Sequence, residues 1–309
     1  MRTGAARGHE GYYHETAFYG SDADFQDLVV PFLDEGVSAG EPVLVACGAV
    51  NERLVRDRVA DPSGVRFLPG ADQYARPTET ILEYRKLFAE YAGVAQIRVV
   101  GDVPHPGTGA PWDWWSRYEA AVNDLFAEFP LWGLCPYDLR TTSADVLADV
   151  LRAHPRVAGA GGHLVNPDYR ETWTWPRACP DPLETGHPLV DLLDPSPAEA
   201  RHAVSAACVA TRLTRDELDD IVYAASEAVT NALIHGKPPA RLRAWADGAR
   251  VVVAVSDRGE GPTSPAAGLV PTERTTTAGL GLWLTHRTCR EVSLGRDENG
   301  FTIRLVVGG

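Results

Sequence analysis

Three polar side chains stand four residues apart in a segment whose apolar residues follow a helical period. Glu227, Asn231 and His235 lie on one stripe of the helix predicted over residues 216–236, since residues i and i+4 are neighbours on a helix surface. The apolar residues repeat at i, i+3 and i+4 and form a separate stripe that suits packing on a sheet. Glu227 is placed to accept a proton from a water or a hydroxyl, and the amide oxygen of Asn231 is a hard ligand suited to Mg²⁺.

A glycine-containing segment follows that helix. Residues 251–257 (VVVAVSD) predict a buried strand that ends in Asp257, and Gly259 and Gly261 come directly after it. The carboxylate of an Asp at a strand end can accept a hydrogen bond from an exocyclic amine, which suits adenine recognition. The glycines allow the backbone to turn sharply and to approach a flat base closely.

A second glycine pair begins another apolar, helix-like segment. Gly279 and Gly281, with Leu280 between them, precede this segment, and the free N–H groups and the dipole of a helix N-terminus favour phosphate. Residues 262–278, between the two glycine segments, contain Gly, Pro, Ser and Thr with neither a strand nor a helix period. We expect them to form a lid that closes over a triphosphate.

The order of these segments resembles the ATP-binding fold shared by gyrase, Hsp90, histidine kinases and anti-sigma-factor kinases. The N box matches Glu227-x-x-x-Asn231, and the two glycine boxes match Asp257-x-Gly259-x-Gly261 and Gly279-x-Gly281. The resemblance implies ATP with Mg²⁺ held by Asn231, Glu227 as the catalytic base, and a two-layer α+β domain. The nucleotide-contacting residues that it implies are Asn231, His235, Asp257, Gly259, Gly261, Gly279, Leu280, Gly281 and Thr302. Thr302 is included because Phe301 stands where this family commonly has Thr.

The compact layout of this part of the chain resembles the anti-sigma-factor serine kinases in particular. Their E-x-x-x-N-A-x-x-H-G pattern is present from Glu227 to Gly236. Histidine kinases place a two-helix phosphoacceptor hairpin before the ATP domain, whereas residues 197–211 have room for one helix only. We therefore do not predict His202, which lies on that helix, to be a phosphoacceptor.

The first half of the chain alternates strand-like and helix-like segments. The predicted strands are 15–19, 43–47, 65–68, 96–101 and 131–135. The predicted helices are 24–39, 51–59, 79–91, 114–128 and 144–153. This alternation indicates an α/β domain with a mostly parallel sheet and helices on both faces, which binds ligands at the carboxyl ends of its strands. The half has no G-x-x-x-x-G-K-[ST] motif, so we do not expect a P-loop.

Residues 11–169 resemble the MEDS sensory domain, a RecA-like α/β module named for methanogen and methylotroph regulators. The resemblance rests on Tyr13-His14-Glu15, on Tyr118-Glu119-x-x-x-Asn123, and on Leu134-Cys135-Pro136-Tyr137-Asp138, among others. It implies a sensing role for an unidentified ligand. The candidate residues for a sensory site are His14, Asp102, Cys135, Tyr137 and Asp138. The alternative is that His14, Asp102 and Cys135 have structural roles, as a hydrogen-bonded histidine, a helix cap and a buried thiol. A metal site from His14, His105 and Cys135 is not predicted, because their spacing matches no ligand pattern.

Composition limits the remaining possibilities. The 309 residues carry a net charge of −13 without clustered Lys and Arg, so direct nucleic-acid binding is not expected. No apolar run is long enough for a membrane span, and the five scattered cysteines favour reduced thiols in a cytoplasmic protein. Prolines between residues 176 and 197 indicate a linker. We therefore predict a sensory domain at 1–180, a linker at 181–196 and an ATP-binding domain at 197–309.

Both halves together resemble the RsbA-type anti-sigma regulators. The resemblance implies a cytoplasmic regulator that sequesters a sigma factor and phosphorylates Ser or Thr of an anti-anti-sigma partner of the STAS type. Two alternatives stay open: a histidine kinase that acts on a separate phosphoacceptor protein, and a non-catalytic ATP-binding module. Relatives of the ATP domain often dimerise, so a homodimer is among the expectations.

Overall fold

The computed structural model describes residues 1–68, 76–110, 112–159, 161–177, 179–271 and 280–309. The chain divides into two compact units, Met1–Thr172 and Trp173–Gly309. The division comes a few residues before the domain end predicted at residue 180.

A seven-stranded sheet forms the centre of the first unit, as far as this unit is described. Its strands are β1 (Tyr13–Tyr19), β2 (Val43–Ala46), β3 (Val65–Phe67), β4 (Ile97–Gly101), β5 (Leu131–Asp138), β6 (Arg156–Gly159) and β7 (Gly162–Val165). They are arranged in the order β3-β2-β4-β5-β1-β6-β7, and only β7, which pairs with β6, is antiparallel to its neighbour. The strongly apolar segments form the interior strands, since a parallel strand is covered on both faces.

Helices cover both faces of this sheet. They are α1 (Asp22–Ser38), α2 (Ala49–Arg58), α3 (Pro77–Ala89), α4 (Trp112–Leu125) and α5 (Ala144–Ala153). Phe25 and Leu33 of α1 pack with Leu134 of β5 on one face. On the other face the ring of Phe126, just after α4, contacts Tyr12 beside β1 at a centroid distance of 6.0 Å. The predicted α/β class, with its mostly parallel sheet and helices on both faces, is confirmed.

The β6–β7 hairpin was not predicted. Its strands are four residues each; Gly161 lies between them, and Gly162, the first residue of β7, has a φ of +94°. Small residues weaken a strand pattern, so tertiary pairing of β6 with β1 decides the conformation here.

The second unit contains an antiparallel sheet with helices packed on it. The strands are β8 (Val190–Leu193), β9 (Arg241–Ala246), β10 (Arg250–Asp257), β11 (Glu291–Asp297) and β12 (Gly300–Gly308), in the order β11-β12-β10-β9-β8. The helices are α6 (Pro197–Ala207), α7 (Arg215–His235) and α8 (Gly281–Thr288). This α+β arrangement confirms the predicted fold of the carboxy-terminal domain.

Helix α7 is the element that carries the polar stripe. It begins at a capping box, in which the Glu217 N–H donates to Thr214 Oγ1 and the Thr214 N–H donates to the Glu217 carboxylate. Its apolar stripe, including Ile221 and Val229, is buried with Val253 of β10. No helix among the described residues combines the length and the apolar composition that a membrane span requires.

The segment predicted as a linker, residues 181–196, contributes structure to the second unit. It contains a 3-10 turn and then β8, which pairs with β9. Leu183 packs on the face of the sheet that carries Trp245, and Arg304 Nη2 donates to Glu184 Oε2 at 3.1 Å. The prolines interrupt the helical period of the sequence but leave room for an edge strand, so composition alone indicated a linker where the chain completes a sheet.

Candidate functional site

A cleft of about 690 Å³ opens in the second unit, within the size range of small-molecule sites. Its walls come from α7, the end of β10 with the loop after it, the start of α8, and β12. The predicted nucleotide-binding residues that line it are Glu227, Asn231, His235, Asp257, Gly261 and Gly281. Residues far apart in the sequence therefore meet in one cavity.

Asp257 is held in a fixed orientation at the end of β10. Its Oδ1 accepts hydrogen bonds from the N–H groups of Lys237 at 3.0 Å and Gly259 at 2.6 Å, and the residue is only 8% exposed. A Cβ added to Gly236 or to Gly259 would lie 2.4 Å or 2.6 Å from the Asp257 carboxyl group. Both positions thus require glycine, because a larger residue would collide with the carboxylate. Asp257 Oδ2 makes no hydrogen bond within the described part of the chain.

An aromatic wall stands beside Asp257. Gly261 has a φ of +75°, and a Cβ on it would lie 2.4 Å from the Phe301 ring. Phe301 contacts the ring of Trp175 edge-on at 5.3 Å, and Trp175 Nε1 donates to the Pro262 carbonyl at 2.6 Å. Trp175 was not predicted to contribute to the site, because it lies in a proline-rich segment without a motif.

Glu227 and Asn231 face the cleft one turn apart on α7. A Cβ on Gly281, the first residue of α8, would lie 2.0 Å from Glu227 Oε2, so the carboxylate rests directly on the start of that helix. Neither side chain makes a hydrogen bond to another described residue, and both are half-buried. An amide and a carboxylate oxygen beside a helix N-terminus fit an Mg²⁺–phosphate group, since Mg²⁺ prefers oxygen ligands and phosphate prefers free N–H groups.

The first part of the predicted lid packs on α8. Leu269 is 2% exposed, and Gly268, with a φ of +74°, lies so close to Leu282 that a Cβ would be 2.5 Å from its Cγ. Residues 272–278 of that lid and Gly279 lie outside the described residues. Leu280 is the N-cap residue of α8 and is half-buried beside the cleft-lining Gly281.

Thr302 does not face the cleft. Side chains alternate along a strand, so Phe301 and Ile303 of β12 line the cleft while Thr302 points to the opposite face of the sheet. There it pairs with Ser256 and lies beside Arg241 and Arg243. The expectation that Thr302 replaces a cleft threonine is therefore corrected: one residue along a strand reverses the face.

In the first unit, three of the predicted sensory residues lie together in a buried cluster. His14 of β1, Cys135 and Tyr137 of β5 join Glu119 of α4 and His154, the residue after α5. Burial lowers the pKa of both His14 and His154 to about 4 and raises the pKa of Glu119 and of Cys135. Glu119 lies in the Tyr118-Glu119-x-x-x-Asn123 motif, but nothing in the sequence indicated His154.

Asp102 and Asp138 do not belong to that cluster. Asp102 Oδ2 accepts hydrogen bonds from the Gly48 N–H at 3.0 Å and from Asn51 Nδ2 at 2.9 Å, which ties the ends of β4 and β2 together. Burial raises the pKa of Asp102 to about 6. Asp138 bonds to Arg140, and this hydrogen bond lowers the pKa of Asp138.

His105 also lies outside the cluster of His14 and Cys135. Its Nδ1 accepts the Gly107 N–H at 3.2 Å and caps a short 3-10 turn.

Two protein-family models match parts of this chain. Residues 13–155 match the family described as MEDS, the methanogen/methylotroph, DcmR sensory domain. Residues 193–307 match the family described as histidine kinase-like ATPase domain, which implies nucleotide binding, usually with Mg²⁺.

Two individual proteins are similar over parts of the chain. The transcriptional repressor DcmR of Methylorubrum extorquens is 28% identical over 153 residues, which is 46% of this chain and 57% of the repressor. The chain thus spans little more than half of the length of this relative. The NMR structure of the histidine kinase domain of the E. coli osmosensor EnvZ matches 40% of this chain and 90% of that domain, with 19% identity and a TM-score of 0.24.

The orientation of Asp257 generates a first prediction. In Asp257→Asn the amide oxygen can still accept the two backbone N–H groups, which turns the NH₂ group toward the cleft, where it opposes an exocyclic amine. We expect ATP affinity to fall about 10- to 100-fold, as a lost charge-assisted hydrogen bond of about 1.5–3 kcal/mol implies. Isothermal titration calorimetry measures this, with Thr302→Ala on the opposite sheet face as the control that retains affinity. Equal losses in both variants would contradict the assignment.

Asp102 generates a second prediction, on pH. Its folded-state pKa of about 6 exceeds the ordinary value of about 3.9, so its stabilising contribution is complete at low pH and is lost as the pH rises to about 6. The neighbouring Cys47 and Tyr19 have raised pKa values and remain neutral over this range. In urea unfolding of the full chain, the free energy of unfolding of Asp102→Asn relative to the wild type should rise by up to about 3 kcal/mol between about pH 4 and pH 7. A difference that does not change with pH would refute this.

Proposed function

We propose that this chain, which joins a MEDS domain to a histidine kinase-like ATPase domain, is a regulatory protein kinase of the anti-sigma-factor type. It binds ATP and Mg²⁺ in the cleft, sequesters a sigma factor, and phosphorylates Ser or Thr of an anti-anti-sigma partner under control of the MEDS domain. The observation that supports this best is the meeting of Glu227, Asn231, Asp257 and the start of α8 in one cavity.

The cleft divides its tasks between two ends. At one end Asp257 Oδ2 accepts a hydrogen bond from the exocyclic amine of adenine, and Phe301 and Gly261 form the adjoining wall. At the other end Asn231 holds Mg²⁺, and the N-terminus of α8 at Gly281 faces the phosphates. The reaction is mostly positioning and charge neutralisation, so the chain mainly has to hold these groups in place.

Glu227 is the proton acceptor in this proposal. The hydroxyl oxygen of the partner attacks the terminal phosphorus, the bond from that phosphorus to the bridging oxygen breaks, and the hydroxyl proton passes to the Glu227 carboxylate. Contact with Gly281 keeps the carboxylate at the start of α8, beside the place that the phosphates would occupy.

The helix arrangement favours a partner hydroxyl over a histidine of this chain. Between β8 and α7 the chain forms one helix, α6, of 11 residues. His202 on α6 is exposed and has no second helix beside it in that segment to form a phosphoacceptor hairpin. One observation favours a second candidate, a non-catalytic ATP-binding module: Phe301 presents an apolar ring to the cleft where the serine kinases commonly have Thr.

A glutamine at position 227 tests the proposed base. Glu227→Gln keeps the shape of the side chain but removes the proton acceptor, so we expect ATP affinity within about threefold of the wild type. Transfer to the partner should fall about 10²- to 10⁴-fold. Calorimetry measures ATP affinity, and incubation of each candidate STAS-type protein with labelled ATP measures transfer. Glu298→Gln, which changes an exposed glutamate, is the control.

Three results would contradict this proposal or part of it. Undiminished transfer by Glu227→Gln refutes the base assignment. Acid-labile phosphohistidine on a separate protein indicates a histidine kinase, and ATP binding without transfer to any candidate partner indicates the non-catalytic module.

Gly281→Ala offers an independent check of the same geometry. The added Cβ would lie 2.0 Å from Glu227 Oε2, so the carboxylate must move away from the start of α8. We expect transfer to fall about 100-fold, as misplacement of a reacting group by about 1 Å implies. Gly248→Ala is the matched control, because its Cβ would meet no atom closer than 3.6 Å. If the change acts through Glu227, it should reduce transfer no further when combined with Glu227→Gln.

A further inference from the structure

We propose that His14, Glu119, Cys135 and His154 form a binding site for one divalent transition-metal ion, with Zn²⁺ as the best fit. The four residues come from four different elements of the first unit, namely β1, α4, β5 and the end of α5. All four are buried, and one donor atom from each lies within 4.8 Å of the other three.

Three of the distances between donor atoms match a tetrahedral metal site. His14 Nε2 lies 3.5 Å from Cys135 Sγ and 3.5 Å from Glu119 Oε2, and His154 Nε2 lies 3.6 Å from Glu119 Oε2. The edge of a tetrahedron is about 1.6 times its centre-to-vertex length, so zinc bonds to N, O and S predict donor separations of roughly 3.3–3.7 Å. Three of the six donor separations therefore already have the length of a tetrahedral edge, and the other three are no longer than 4.8 Å.

Hydrogen bonds outside the cluster fix the imidazoles in the form that binds a metal. His154 Nδ1 lies 2.7 Å from the Val150 carbonyl, which can only accept, so Nδ1 carries the proton and Nε2 offers its lone pair. Asn123 Nδ2 donates to the Ala153 carbonyl at 2.8 Å, which leaves Asn123 Oδ1 as the acceptor 3.0 Å from His14 Nδ1. Both Nε2 atoms thus present lone pairs to the centre of the cluster, as histidine ligands with an outer hydrogen-bond partner do.

Two donor atoms have no other partner. Glu119 Oε2 and His154 Nε2 are buried without a hydrogen bond to any described residue. Tyr137 donates its hydroxyl to Glu119 Oε1 at 2.5 Å, so the second carboxylate oxygen alone faces the cluster. A buried polar atom without a partner is costly, and a hydrogen-bonded network would not leave two of them facing each other across 3.6 Å. A cation at the centre satisfies both.

The donor set selects the class of metal. Two imidazoles, one thiolate and one carboxylate are the ligands of Zn²⁺, Co²⁺ and Fe²⁺, whereas Mg²⁺ and Ca²⁺ prefer oxygen ligands throughout. A four-ligand site in a closed interior resembles structural zinc sites, so the ion would join β1 and β5 to the two helices above them. This inference does not depend on the proposed kinase activity.

Cobalt substitution of the full-length protein tests the proposal directly. The exposed Cys179 is changed to Ser in every variant so that its thiol does not contribute. We expect one equivalent of Co²⁺, the intense visible bands of tetrahedral cobalt, and a near-ultraviolet band from thiolate-to-cobalt charge transfer. Zn²⁺ added in equal amount should displace the cobalt and remove these bands.

A pair of isosteric cysteine variants identifies the thiolate. Cys135→Ser should abolish the charge-transfer band and weaken metal binding by at least about 100-fold, whereas Cys47→Ser changes an equally buried thiol and should leave both unchanged. Far-ultraviolet circular dichroism and the urea-unfolding transition of each variant, compared with those of the parent protein, report whether the first unit, which holds both cysteines, is folded.

Absence of stoichiometric Co²⁺ or Zn²⁺ binding, or a cobalt spectrum without the thiolate band, overturns the site even if Cys135→Ser does not fold, because the parent protein alone decides this. An unchanged spectrum in a folded Cys135→Ser variant overturns it as well.

Discussion

The hydrogen bonds to one carboxylate oxygen set the geometry of the nucleotide cleft. Asp257 Oδ1 accepts from the Lys237 N–H, two residues beyond the end of α7, and from the Gly259 N–H, two residues beyond the end of β10. The end of the helix and the end of the strand are thereby tied to the same atom. Because Glu227 and Asn231 are carried by α7, their position over the sheet depends on this connection, and so does the direction in which Asp257 Oδ2 points.

The same constraint explains why small residues gather at the cleft. Gly236 and Gly259 both lie against the Asp257 carboxyl group, and Gly281 lies against the Glu227 carboxylate. These positions need glycine because a neighbouring side chain occupies the volume of a Cβ, while Gly261 also needs it for its positive φ. Gly259 and Gly281, one from each glycine box, therefore leave room for the Asp257 and Glu227 carboxylates, whereas Gly261 leaves room for the Phe301 ring.

The sequence predicts those parts of the structure that depend on local patterns. The stripe of α7, the buried strand ending in Asp257 and the alternation of the first unit all follow from periods of a few residues. The role of Thr302 could not be predicted in this way, since the pairing of β12 with β10 decides which face each residue takes. Pairing likewise makes a strand of Val190–Leu193 within a proline-rich segment, where composition indicated a linker.

The buried cluster of the first unit shows the same limit on a larger scale. His14 and His154 are separated by almost the whole unit in sequence, yet their ring centroids lie 4.0 Å apart, with the ring planes tilted by 44°. No motif spacing joins them, because their meeting follows from the adjacency of β1 and β5 and from where α5 ends. Two imidazoles, a thiol and a carboxyl group cost solvation free energy at full burial, and apolar side chains of similar volume would avoid that cost. Three of the four groups, His14, Glu119 and His154, are turned toward one point by hydrogen bonds from outside the cluster, and from this arrangement we infer a cation site rather than packing alone.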